Sequence, residues 1–408
     1  MARFLALPKN DPVIASLSMA DVTMAPEARA EQVTRVMEAR RRLGAQTRGP
    51  EPAARARMRS AEIVSHPEET TSVTGVMVFD MADPEELERL KTDLPNYEVV
   101  EDLPLSLIPP VRATAGHSEA EGLDLWHLDA VAVANARAAG FGGTGRGVGV
   151  AILDTGVDEV AEIAGRVASA FRLDRSTSEP VAIQTEDTEG HGTHVAGLVA
   201  GSQVGVAPEA ELMNYIMIPN ALGNISDFIF AIDFVARRPE ISILNMSAGI
   251  PGFHGAMKSS VGLLKRMGIL PVVAVGNEGP NTSRSPGNYT EVLSVGAANR
   301  HGRVASFSSG GSMVADAQSY TVPDLVAPGA EVTSCVMGGG YEAWDGSSMA
   351  TPLVSGIAAL ILERLPTITL PDLKEEIIGV LQPLSGVDAL RQGGGLLQLP
   401  SHMWQAVS

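Results

Sequence analysis

Val148-Gly149-Val150-Ala151-Ile152-Leu153-Asp154 sets the fold class of this 408-residue chain. A strand with one wet face alternates apolar and polar residues, whereas this run is apolar throughout and stops on a carboxylate. That is the pattern of a strand covered on both faces within a parallel sheet. Similar runs recur at 212–218, 241–246, 270–275 and 292–295, and helical patterns separate them at 192–200, 224–237, 256–267 and 348–365. Alternating strands and helices predict a large α/β domain with a mostly parallel sheet flanked by helices, over residues 123–408. In open sheets of this kind ligands bind at the carboxyl ends of the strands, which is where Asp154 stands.

Upstream, the rhythm differs. Residues 3–7, 60–66, 72–81 and 97–108 read as strands, and 26–43 as a helix. A further helix is capped by Asp83 and opens with Pro84, Glu85 and Glu86. The order β-α-β-β-α-β predicts a small α+β ferredoxin-like unit over residues 1–113. Gly44 to Ala56 is read as a long loop, and the Pro- and Gly-containing stretch from Pro109 to Gly122 as an exposed linker. Its 114–122 part is the expected processing region.

Composition narrows the function. The net charge is −18; residues 1–116 hold 14 Lys/Arg and 18 Asp/Glu, a balance of −4, and the remaining 16 and 30 give −14. So acidic a body repels nucleic acid, and Arg40-Arg41-Arg42 reads as a solvated helix end. No run of about 18 apolar residues exists to span a membrane. Cys335 is the single cysteine, so no intrachain disulfide can form. The N-terminus lacks the pattern of a signal peptide, and the expectation is a cytoplasmic protein or one exported by a route the sequence does not display. The glycines from Gly140 to Gly149 precede a strand instead of following one, which argues against a dinucleotide loop. His191 and His194 lack a third ligand at a metal-binding spacing, so no metal and no cofactor are expected there.

Three distant segments each carry one polar group where packing would favour a bland one. Asp154-Thr155-Gly156 ends the decisive strand, Gly190-His191-Gly192-Thr193-His194 opens one helix, and Gly346-Ser347-Ser348-Met349-Ala350-Thr351-Pro352 opens another. Acyl transfer needs a hydroxyl to attack, an imidazole to take and return its proton, and a carboxylate to hold the imidazole. Ser348, His191 and Asp154 are the candidates. Asn277, at the end of another buried strand, can join the Ser348 N–H as an oxyanion donor. His194 is read as a packing histidine.

These blocks, in the chain order Asp, His, Ser, resemble those of the subtilisin-like serine proteases, the subtilases. Ser347 stands where that family usually has Thr. The resemblance runs from about residue 123 to Gly393-Gly394-Gly395-Leu396-Leu397-Gln398-Leu399, which looks like the family's closing Gly-rich turn and strand. It implies a serine endopeptidase acting on protein or peptide substrates through an acyl-enzyme. Two backbone edges are implied as substrate-binding: Ser247-Ala248-Gly249, and Leu222-Gly223 beside Ala221. A specificity pocket is implied near Ala274 to Gly276, its base in the loop 280–286. Arg284 in that loop reads as a solvent-facing cation, with an acidic or polar preference at the residue before the scissile bond as the functional alternative. The helix after His191 runs almost directly into Val206, leaving no room for the family's calcium loop. Residues 1–113 resemble the family's inhibitory propeptide, which implies a self-inhibited precursor whose intramolecular prodomain lays its tail, from Ser106 to Gly122, in the cleft. The alternative is a peptide-binding or regulatory protein on the same fold with little turnover.

Overall fold

The computed structural model describes residues 2–9, 11–17, 23–46, 62–65, 73–81, 84–117, 122–175, 177 and 179–404. The decisive run is strand β7 (Gly149–Asp154), reached after β1 (Ala2–Pro8), β2 (Glu62–Ser65), β3 (Met77–Met81), β4 (Tyr97–Glu101), β5 (Pro104–Leu107) and β6 (Arg112–His117). β7 lies inside a nine-stranded sheet, with Ile241–Met246 parallel to it on one side and Glu211–Ile216 parallel on the other. Leu270–Ala274 and Leu293–Asn299 extend the parallel run beyond the first neighbour.

The uninterrupted apolar pattern follows from this position. Val150 and Ile152 join a core on one face, against the helices His191–Ala200 and Ser347–Arg364. Ala151 and Leu153 join a second core on the other face, against Ile225–Ala236 and Lys258–Arg266. Alternate side chains thus go to opposite apolar layers, and the strand has no wet face.

The N-terminal unit forms a four-stranded antiparallel sheet in the order β2-β3-β1-β4, the ferredoxin-like arrangement. One face, with Ala6, Met77 and Phe79, holds a small core with Leu90 and Leu94 of the helix Pro84–Asp93. The other face, with Leu5, Leu7 and Val78, is continuous with the second core of the α/β domain. Two carboxylates fix that contact. Asp233 Oδ1 accepts from Val73 N at 2.8 Å and Thr74 N at 2.9 Å, and Asp102 accepts from Ser226 N at 2.8 Å and Ser226 Oγ at 2.7 Å. Ser226 lies in the first turn of the helix Ile225–Ala236, where backbone N–H groups lack internal partners and a carboxylate is favoured.

Several local expectations change. The stretch 97–108 is two strands in two sheets: the chain leaves the N-terminal sheet after Glu101, Asp102 turns to Ser226, and β5 pairs elsewhere. The strand expected from Ser72 begins at Met77. The helix expected to end at Leu43 continues to Gln46, so residues 44–46 of the expected loop are helical, and 47–56 lie outside the described residues. Asp83, Ser60, Ala61, His66, Thr71 and Ser72 also lie outside them. The expected exposed linker is in part β6, because the strand Tyr341–Asp345 offers an edge that its Ala- and Gly-rich sequence does not advertise; residues 118–121 are outside the described set. Gly393–Leu399 contains no strand, only isolated bridges of Leu396 to Val326 and Gln382. No described helix is long and apolar enough to cross a membrane.

Candidate active site

Asp154 is the last residue of β7, and His191 opens the helix Gly192 continues. The two side chains meet at 2.8 Å, His191 Nδ1 to Asp154 Oδ1. Gly192 permits the approach: a Cβ there would lie 1.9 Å from the Gly156 carbonyl oxygen, so any larger residue would push the helix off the strand end. Asp187 ties the same two segments together. It accepts from Thr155 Oγ1 at 2.7 Å, Gly190 N at 2.9 Å, and Thr193 N at 2.8 Å, supplying the helix-start acceptor that the glycine at the cap position lacks.

Ser348 is the second residue of the helix Ser347–Arg364, so its N–H has no intrahelical acceptor. One turn later Pro352 has no N–H to give back to the Ser348 carbonyl, and Ser247 Oγ donates to that oxygen at 3.4 Å. Asn277 reaches the site from the end of the Leu270–Ala274 strand. Gly276 holds a φ of +122°, and a Cβ there would meet Glu278 Oε2 at 2.6 Å. Ser347 orients the amide: its N and Oγ both donate to Asn277 Oδ1 at 2.9 Å, which leaves Nδ2 facing the cleft. The hydroxyl is what Ser shares with Thr at this position, so the sequence departure keeps the contact.

The histidine ring stands near a tryptophan that sequence reasoning passed over. Trp344 lies 6.1 Å from His191 between centroids and stacks on His194 at 4.2 Å and 6°. His194 is fully buried with Nε2 against the Glu342 carbonyl at 3.1 Å, and burial pushes its pKa down to about 3, so it packs as a neutral ring. Asp187, Trp344 and the Ser347 hydroxyl were absent from the sequence-based site. Only Asp187 carried a readable signal, an Asp shortly before a helix start.

The cleft is filled by the chain itself. β5 runs antiparallel between the two edges expected to bind substrate: Leu222 faces Ser106 and Gly223 faces Leu105 on one side, and Ala248 faces Leu107 and Gly249 faces Ser106 on the other. Ile108 N donates to Ser247 O at 3.0 Å. Ser348 Oγ donates to the Ile108 carbonyl at 2.9 Å, whereas Asn277 Nδ2 donates to the next carbonyl, that of Pro109, at 3.0 Å. Among the described residues His191 Nε2 has no hydrogen-bond partner. Ser348 and Asn277 therefore hold two different residues, and both nearby peptide bonds, 108–109 and 109–110, end on a proline nitrogen. With the segment in place Ser348 is 0% exposed and His191 2%.

Arg284 is not solvent-facing. It pairs with Glu278 at 2.6 Å, and its Nη1 lies 3.1 Å from both the Gly249 carbonyl and Ser106 Oγ. It touches the residue two before Ile108, not Ile108.

A family profile described as "Subtilase family" matches residues 145–391. The chain is 37% identical over 277 residues to "Intracellular serine protease" of Paenibacillus polymyxa, a match covering 62% of this chain and 80% of that protein. It is 32% identical over 291 residues to "Alkaline elastase YaB" of Bacillus sp. (strain YaB), covering 70% and 68% respectively. Against "Subtilisin E" of Bacillus subtilis (strain 168) the identity is 35% over 247 residues, 58% of this chain and 61% of that one. With an aspartate, a histidine and a serine converging on one rim of a parallel sheet, the chain belongs to the subtilase family and is a subtilisin-like serine endopeptidase.

Proposed function

We propose that the chain is made as a self-inhibited precursor, in which residues 1–113 act as an intramolecular inhibitor and the region 114–122 is where the chain is opened. The observation carrying this reading is the path of Pro104 to Val111 through the cleft, a substrate-like strand on which nucleophile and oxyanion donor are out of step. Once a peptide with a correctly placed carbonyl replaces it, Ser348 Oγ bonds to that carbon and its proton passes to His191 Nε2. Asp154 holds the imidazolium through Nδ1, and Asn277 Nδ2 with the Ser348 N–H receives the negative oxygen. The C–N bond then breaks as His191 returns the proton to the leaving nitrogen, and water hydrolyses the acyl-enzyme by the same steps in reverse roles. The edges Ser247-Ala248-Gly249 and Leu222-Gly223 hold the substrate as an added strand, with affinity from the main chain.

A fluorophosphonate probe tests the precursor reading. The intact chain should label at Ser348 slowly, labelling should rise on mild proteolysis of the 118–121 region, and Ser348→Ala should never label. Equal labelling rates before and after opening would remove the inhibitory role of the N-terminal unit.

The position of Arg284 bears on selectivity. A substrate lying in register with β5 presents to Arg284 the third residue before the scissile bond. Peptides with Ser, Asp or Glu there should lose roughly threefold to tenfold in kcat/KM on Arg284→Ala, the worth of one charge-assisted hydrogen bond shared with Glu278, while peptides with Ala there stay unchanged. A profile change confined to the residue before the bond would assign Arg284 to the first pocket instead.

A further inference from the structure

Beyond the triad, the described residues hold one extended binding feature that neither the fold nor the chemistry requires. The strand Tyr341–Asp345 is the middle of a three-stranded antiparallel sheet, with Val332–Cys335 on one edge and β6 on the other. Through Gly346 it runs straight into Ser347 and Ser348, so the edge that β6 covers is fixed in direction relative to Ser348. β6 lies on that edge over Asp345 to Arg112, Trp344 to Ala113, Ala343 to Thr114 and Tyr341 to His117, and the preceding Val111 N donates to Asp345 O at 2.7 Å.

The spacing from the oxyanion donor gives this edge a meaning. The carbonyl held by Asn277 Nδ2 belongs to Pro109, and two residues on, Val111 donates to Asp345. A substrate whose scissile carbonyl took the place of the Pro109 oxygen would put its second leaving-side residue where Val111 is. Its third to eighth leaving-side residues would then fall on the positions of Arg112 to His117. We propose that the Tyr341–Asp345 edge is a binding site for the leaving side of the substrate, occupied by β6 in the precursor and by an extended polypeptide during turnover. The inference rests on the precursor reading, because β6 must be displaced first. The ligand is an unfolded or extended segment continuing about eight residues past the scissile bond, bound through main-chain hydrogen bonds with little demand on side chains. A folded loop cannot supply such a segment, so the enzyme should favour unfolded chains and long peptides over short ones.

The test uses the full chain, activated by limited proteolysis after folding. A p-nitroanilide substrate, which has no leaving-side residues, first reports whether the triad works. Failure to hydrolyse it after opening sinks the precursor reading and this inference together. With that activity present, peptides sharing one acyl side and carrying two, four, six or eight leaving-side residues are compared. The expected result is a rise in kcat/KM of about tenfold between two and eight residues, the net worth of a few ladder bonds after ordering costs. Proline at the fourth and sixth leaving-side positions should abolish the rise, since proline cannot donate to a ladder. A flat series with normal p-nitroanilide hydrolysis, or a rise that survives the prolines, overturns the proposal while leaving the precursor reading intact.

Discussion

Removing Pro109 together with Pro110→Ala should, if the precursor proposal holds, convert the chain into one that cuts itself after Ile108. On the acyl side of the cleft Ile108 is already in the position of the residue before the scissile bond, with its N–H on Ser247 O. On the leaving side the register is that of a chain one residue longer, since Asn277 holds the Pro109 carbonyl and Asp345 holds Val111 N. The segment thus carries one residue more than the site spans. Shortening it by one brings the Ile108 carbonyl to Asn277 while Val111 stays on Asp345, and the alanine supplies an ordinary secondary amide. Near-attack geometry is worth orders of magnitude, a displacement of 1 Å alone costing about a hundredfold, so self-cleavage should rise by at least about a thousandfold. Intact mass of the purified chain reads it directly. The control keeps the length: Pro109→Ala with Pro110→Ala should be cut far more slowly. Equal rates for the two variants would show that proline chemistry, not the surplus residue, protects the bond.

The second large effect falls on Asn277. Asn277→Asp keeps the Oδ1 that Ser347 N and Oγ hold, and replaces the Nδ2 donor by an acceptor aimed at the developing negative oxygen. After activation kcat should fall by about two to three orders of magnitude with little change in KM, a size known from removing the corresponding donor of subtilisin itself and not calculated from these distances. The thermal midpoint should stay close to that of the parent, because Asn277 is partly exposed and the groups anchoring its Oδ1 remain satisfied. A matching fall in KM would instead mean that the residue strains the bound ground state. Ser347→Ala is the milder companion, costing roughly tenfold by freeing the amide to rotate.

Much of this site was readable because it is built from local signals. The β7 run is apolar on both alternating registers since Val150 and Ile152 serve one core and Ala151 and Leu153 the other, and any strand so placed must look that way. Ser348 and His191 sit at helix openings marked by glycines and small residues. What stayed hidden depends on partners distant in sequence. Nothing between Tyr97 and Ile108 says that Glu101 ends a strand in one sheet and Pro104 begins another between Leu222–Asn224 and Ala248–Pro251. Arg112–His117 has the composition of a linker, and the Tyr341–Asp345 edge makes it a strand. Arg284 looked like a surface cation until Glu278 and the Gly249 carbonyl closed over it.

Met24 shows how the N-terminal unit is bound. Its side chain is 1% exposed and sits in the core cluster that also contains Leu370 and Leu373, while Leu5, Leu7 and Val78 belong to the cluster on the other side of the sheet. The unit is therefore seated on two separate hydrophobic layers of the enzyme. Cutting the chain between residues 117 and 122 severs a covalent tie but removes none of that contact. Under the precursor proposal activation should then have two clocks, a fast one set by the cut and a slow one set by departure or destruction of the nicked N-terminal unit, and the second should respond to how dilute the protein is. On that proposal a freshly nicked molecule at high concentration should stay quiet, and the same molecule dispersed among unfolded chains should come to work.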